Sequence, residues 1–342
     1  MMSKSPSLVA VTGCAWDIPS FADRSDLQEA FSKGRIDNPV FRPEIALGKK
    51  GLRYKERATL LALCAAKAAL ANAGWQTEEG PMADTDFGVV VASNTGNLDT
   101  VCNAADTIRR EHVNATSSMD LPNASSNVVA STVAIRFGLK ALNLMICSGS
   151  SASFDALVIA ANAIRNGRAK RMLVASVETD GLALRSLLSG RRLDTEQGTG
   201  NPLLEGASAV VLESLDSVRE RKACSSGLLS EYAFLHADGT DSHLIHALLE
   251  RHPTKTRYLP SACFLESLQE TASNAPLDLT VDLGPVLDQS YGSSALLQLI
   301  HHIEQARAGN ESALSGAVIA GGGTWLDRRA GIFVVEPGAA LQ

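Results

Sequence analysis

Residues 139–178 read LKALNLMICSGSSASFDALVIAANAIRNGRAKRMLVASVE, and their layout decides the fold. The apolar run over 142–147 predicts a strand that enters a turn of small residues. The nearly all-apolar stretch 151–166 then predicts a helix, closed by Gly167 as a left-handed cap. Such a turn aims one side chain, here Ser150, at a helix N-terminus. There the unpaired N–H groups and the positive end of the dipole favour a thiolate. A serine gains almost nothing, because its hydroxyl stays protonated unless a base sits beside it.

Working outward, strand-like runs at 8–12, 87–92, 171–176 and 209–213 alternate with helical stretches at 26–33, 56–73, 98–110 and 127–137. This alternation predicts an α/β domain. A second series follows: LLSEYAFL, SHLIHALLERH, TRYLPSACF, LESLQETA, LDLTVDL, GSSALLQLIHHIEQARAG, AVIAGG and IFVVEP. The halves rhyme. NLMICSGS, a helix, Asn166-Gly167 and RMLVAS are answered by DLTVDLGP, a helix, Ala308-Gly309 and AVIAGG, which implies an internal duplication. The expected division is 1–216 and 217–342.

The 342 residues are 45% hydrophobic and 20% charged, enough for one large core or two fused lobes and without a signature of disorder. A net charge of −6 with no basic run argues against a nucleic-acid footprint or a polybasic membrane anchor. The opening MMSKSPSLVAVTGC has an apolar stretch too short for a signal sequence. Lys67 breaks the longest apolar helix, 58–73, so the chain reads as cytoplasmic. Six cysteines (Cys14, Cys64, Cys102, Cys147, Cys224, Cys263) without CxxC spacing fit reduced, mostly buried thiols better than disulfides or zinc ligands.

Several blocks, in order, resemble the β-ketoacyl synthase branch of the thiolase fold. VAVTGCAWDIP (9–19) is similar to that family's opening strand and turn, and RYKERATLLALCAAKAALANAGW (53–75) to its first long helix. LPNASSNVVASTVAIRFGLKALNL (121–144) is similar to its PNM segment and runs without a gap into the nucleophile turn. LLEGASAVVLE (203–213) answers its GEGAG strand. The resemblance implies a duplicated α/β/α/β/α sandwich, with Ser150 on the position of the catalytic cysteine. It implies neither a cofactor nor a metal.

The second half departs from the family. Ser261 or Ala262 stands where the first catalytic histidine is expected, Gln289 where the second is, and Gly284 where a loop lysine is. The terminal glycine loop survives only as GGGTW (321–325). Condensation needs a nucleophile to hold the acyl chain and imidazole donors to stabilise charge as carbon dioxide leaves. The pattern therefore resembles the chain-length-factor subunit, a ketosynthase-like protein that pairs with an active ketosynthase in type II polyketide assembly. The extent of loss resembles the partner subunits of aryl-polyene systems. The resemblance implies an active ketosynthase as partner and an acyl carrier protein reached through the complex. It also places Met119, Asp120 and Leu121 in reach of the neighbour's acyl pocket, and the strand with Leu142, Leu144 and Ile146 at the subunit boundary. Two alternatives stay open: a Ser150-dependent acyltransferase or hydrolase, and a homodimeric scaffold.

Other residues favour plainer readings. Cys147 reads as a buried structural thiol. HADGTDSH (236–243) reads as a surface loop, His243, His246 and His252 as a solvated helix face without a fourth ligand, and His301-His302 as surface and helix flank. The glycines at 321–323 read as close backbone packing.

Overall fold

The structure, a computed structural model, describes residues 8–21, 27–36, 39–75, 80–191, 203–236, 242–258, 280–281, 283, 290–311, 313–322 and 329–338. The strands are β1 (Val9–Asp17), β2 (Phe87–Ala92), β3 (Asn143–Ile146), β4 (Arg171–Glu178), β5 (Gly206–Ser214), β6 (Gly227–His236), β7 (Thr256–Tyr258), β8 (Thr280–Val281), β9 (Ala317–Gly322) and β10 (Arg329–Pro337). The α-helices are α1 (Leu27–Lys33), α2 (Pro43–Leu47), α3 (Arg57–Asn72), α4 (Leu98–Glu111), α5 (Val128–Phe137), α6 (Ala152–Arg165), α7 (Leu182–Arg191), α8 (Leu215–Glu220), α9 (Ser242–Arg251) and α10 (Ser294–Arg307).

The strands order as β3-β2-β4-β5-β1-β6-β10-β9-β7-β8. From either outer edge inward the order is third, second, fourth, fifth, first of its own series. The directions repeat as well. β2 is parallel to β3 and β4, β5 antiparallel to β4 and β1, and β7, β8, β9, β10 and β6 follow the same scheme. The two series join along a short antiparallel ladder, Val9 opposite Leu229 and Val11 opposite Gly227.

Side-chain alternation sorts this ladder into layers. In the first series Val89, Val91, Leu173 and Val211 pack with α3 and α5, while Val90, Ala92, Val174 and Leu212 face α6 and α10. In the second, Val318, Ala320, Ile332 and Val334 pack with α9, while Ala317, Ile319, Phe333 and Val335 face the same two central helices. The result is a five-layered sandwich of mixed sheet and helix. Helices α6 and α10 sit in the middle layer, and a helix apolar on all sides belongs in such a place. α6 is buried from Ala152 to Ile164 except at the half-buried Ile159 and Asn162, and α10 from Ser294 to Ile303.

That middle layer corrects the surface reading of His301 and His302. Both are buried, because a helix between two sheets has no solvent face, and His301 Nδ1 lies 2.8 Å from the Tyr258 hydroxyl. The cysteine reading also changes. Cys14 and Cys64 are buried, but Cys102, Cys147 and Cys224 are exposed, and all five are free thiols; Cys263 lies outside the described residues. Cys147 follows an edge strand that is covered on one side only, so the shielding expected for a strand residue is missing.

Phe154 of α6 crosses from one half to the other. Its ring meets Phe234 edge-on at 5.4 Å and Phe333 at 6.2 Å. Gly321 and Gly331 lie opposite each other on β9 and β10 and form the slot beneath it. A Cβ on Gly331 would come within 2.3 Å of the ring, and one on Gly321 within 2.7 Å of Phe154 Cβ. The close-packing reading of Gly321 therefore stands, whereas Gly323 and Thr324 lie outside the described residues. Phe154→Ala should cost about 3–5 kcal/mol in urea unfolding, since neither glycine strand can collapse into the void.

Candidate functional site

Strand β3 ends at Ile146 and delivers the chain to Ser148. Gly149 then takes φ +72°, a left-handed conformation that favours glycine. It opens a 3-10 turn, Gly149–Ser151, that feeds directly into α6. Ser150 sits in this turn at the head of the helix and is 2% exposed. On the helix side, Asp155 accepts hydrogen bonds from Ser148 Oγ (2.6 Å) and Ser151 Oγ (3.0 Å). A carboxylate in the first turn also suits the helix dipole.

A second network grips the turn from the opposite side. Asn94 donates through Nδ2 to the Gly149 carbonyl (3.0 Å), and its Oδ1 accepts from Gly149 N–H (2.9 Å). Asn94 is itself held by Glu178, the last residue of β4, which accepts from Asn94 Nδ2 (2.7 Å), Thr95 Oγ1 (2.7 Å) and Thr95 N–H (3.1 Å). The second half closes the arrangement with its own 3-10 turn, Tyr291–Ser293, at the head of α10. A Cβ on Gly292 would lie 2.4 Å from Asn94 Nδ2 and 2.6 Å from Glu178 Oε1, so glycine is what lets the two turns meet. Ser176 Oγ donates to Ser293 Oγ across the same contact.

The same stretch of sequence decides the kinship. The family model for the β-ketoacyl synthase N-terminal domain matches residues 46–217, half of the chain, from before α3 through the Ser150 turn into α8. The chain belongs to the β-ketoacyl synthase family. A curated relative, 3-oxoacyl-[acyl-carrier-protein] synthase 2 of Rhizobium meliloti (strain 1021), is 30% identical over 181 residues; the match takes in 47% of this chain and 42% of that protein. Thus the chain matches less than half the length of this curated relative. Among solved structures, the ishigamide ketosynthase/chain length factor superposes with a TM-score of 0.75 at 20% identity, covering 97% of this chain and 99% of the other. A type II PKS acyl-carrier protein in complex with its ketosynthase bound to the hexaketide gives a TM-score of 0.74 at 17% identity, with 97% and 99% covered. These likenesses establish the thiolase-type fold.

Within this ketosynthase fold, Leu144 and Ile146 lie on β3 and Leu142 just before it. β3 pairs with β2 at the outer edge of the ladder, leaving its other side open among the described residues. Met119, Asp120 and Leu121 follow α4 on the surface, with Met119 56% and Leu121 42% exposed. Asp120 and Leu121 line a cleft of about 350 Å³ against α4. Ser261, Ala262, Gly284 and Gln289 lie outside the described residues, as does most of the 236–243 loop. Among the described residues no group of His, Cys, Asp or Glu side chains could hold a metal ion, and no helix is long and apolar enough to cross a membrane.

Two features escape sequence reading. Glu178, a buried acid ending the apolar run RMLVASVE, was the available signal for the clamp. The other is a cationic strip, Arg42, Lys49, Lys50 and Arg53, exposed and without an ion pair among the described residues. The overall charge of −6 masks it.

Burial pushes the Glu178 carboxyl up to about 7, with the donors from Thr95 and Asn94 pulling the other way. The native state therefore holds a proton that the unfolded chain releases near pH 4.5. Stability from this group is full below that value and falls as pH rises towards 7, by up to about 3 kcal/mol. Chemical unfolding between pH 5 and 8 should show this loss, and Glu178→Gln should flatten it.

Proposed function

We propose that this chain is a ketosynthase-like subunit of the chain-length-factor type, without condensing activity of its own. It pairs with an active ketosynthase and shapes the acyl tunnel of a cytoplasmic type II polyketide pathway, of the aryl-polyene kind. Its halves, 1–216 and 217–342, are in this reading two copies of one unit. The observation that carries the proposal is the buried serine at the head of α6, in a turn whose backbone is clamped as a nucleophile turn needs. A hydroxyl there has no route to an acyl-enzyme without a base. With Ala262 and Gln289 at the places of the imidazoles, condensation also loses its charge stabilisation, and each such donor is worth roughly a hundredfold in rate.

Two surface features support the partner role. The open edge of β3, where Leu144 is exposed, is an apolar strand edge of the sort that proteins cover by pairing, and Met119 and Leu121 add exposed apolar groups to the surface. The Arg42, Lys49, Lys50 and Arg53 strip suits a carrier protein of opposite charge, because such surfaces steer encounter. The ishigamide structure, named as a ketosynthase/chain length factor, supplies a relative with such a pairing in its name.

The test is co-expression with an active type II ketosynthase, followed by intact-mass analysis after incubation with acylated carrier protein. The acyl group should appear on the ketosynthase and not on Ser150, and Ser150→Cys alone should not restore condensation. Acylation of Ser150 would replace this reading with a serine acyltransferase or hydrolase. A stable monomer that gains nothing from the ketosynthase would remove the partner role.

If Met119 and Leu121 wall the tunnel, Met119→Trp and Leu121→Trp should shorten the products of the intact complex, because a close-packed wall relaxes little around added volume. Product analysis by mass spectrometry reads the effect. Unchanged products with both substitutions would move length control to other residues.

A further inference from the structure

A cavity of about 610 Å³ lies where the two halves join, beside the β1–β6 ladder and apart from the Ser150 turn. Its walls include the C-terminal ends of α3 and α10, the link from α8 to β6, Ala313 and Leu314, and the end of β10. Three cations line it: Arg221, Lys222 and Arg307. Arg221 is paired with the buried Glu213 through Nε (2.9 Å), and its Nη2 also donates to the Ala73 carbonyl (2.8 Å). Arg307 bonds only neutral groups, Asn72 Oδ1 (3.1 Å), Ser226 Oγ (2.7 Å) and Cys14 Sγ (3.7 Å), and no carboxylate among the described residues pairs with it. The C-termini of α3, α8 and α10 contribute negative ends. After these and Glu213 are counted, roughly half a positive charge remains in excess.

A further observation bears on the rim. His302 contributes to the cavity wall, but its Nδ1 is fully covered and finds no hydrogen-bond partner among the described residues, so it offers the cavity no polar group. Lys222 is at φ +52°, with Lys222 N–H to the Arg219 carbonyl and Ala223 N–H to the Val218 carbonyl. That is the position after a helix where glycine is usual. A lysine held there sets its charge at the rim, against the local conformational preference.

We propose that this cavity binds a phosphorylated small molecule. Guanidinium forks and an ammonium suit the several oxygens of a phosphoryl group. The volume exceeds that of a bare anion, leaving Ala306, Leu314 and Pro337 to cover the carbon body of an ester.

The full chain, in the assembly in which it purifies, is titrated by calorimetry with adenosine 5′-diphosphate and, separately, with inorganic pyrophosphate. Saturable binding is expected, weakened about tenfold or more in both Arg307→Gln and Lys222→Gly. Lys222→Gly should unfold at the same or a higher temperature, because glycine suits the left-handed backbone, so its weaker binding would not reflect misfolding. Binding of the nucleotide alone supports an ester ligand, and equal binding of both supports recognition through the phosphoryl head. No saturable heat from either compound, or undiminished binding in either variant, would overturn the proposal.

Discussion

Helices α6 and α10 lie between two sheet layers, and the rest of the molecule is arranged around keeping them there. A helix in that position loses its solvent face, so the polar groups it carries depend on partners inside the protein. Asp155 gathers Ser148 and Ser151, Gln298 Oε1 accepts from Ala320 N–H, and His301 meets the Tyr258 hydroxyl. The glycine pair at 321 and 331 yields space to Phe154, and Gly292 yields space to Asn94. Small residues stand where the two halves come closest.

The same constraint shapes the functional turn. Both central helices begin with a 3-10 turn, and the two turns touch near the middle of the molecule. The Glu178–Asn94 clamp holds the first of them by its backbone, with no dependence on the side chain at position 150.

What remains for interaction is the surface that the layers leave uncovered. The β3 edge and the loop at Met119 and Leu121 present apolar groups, the 42–53 segment presents charge, and the seam cavity gathers cations. These regions differ in chemistry, and each suits a different class of partner.

Sequence by itself determined the alternation of strands and helices in the first half. Its apolar runs carry a clear period, and β2, predicted at 87–92, ends where expected. It also determined the placing of Ser150 and the left-handed close at Gly167, because turn and cap residues act locally. The tertiary structure decided what depends on distant chain. His301 and His302 are buried because a second sheet covers them, Cys147 is exposed because β3 is an edge, and Glu178 is buried because Asn94 and Thr95 fold over it from 84 and 83 residues away. Periodicity reports which face of an element is apolar. It cannot report whether a second layer will cover the other face, and that covering is what turned ordinary polar residues here into a buried network.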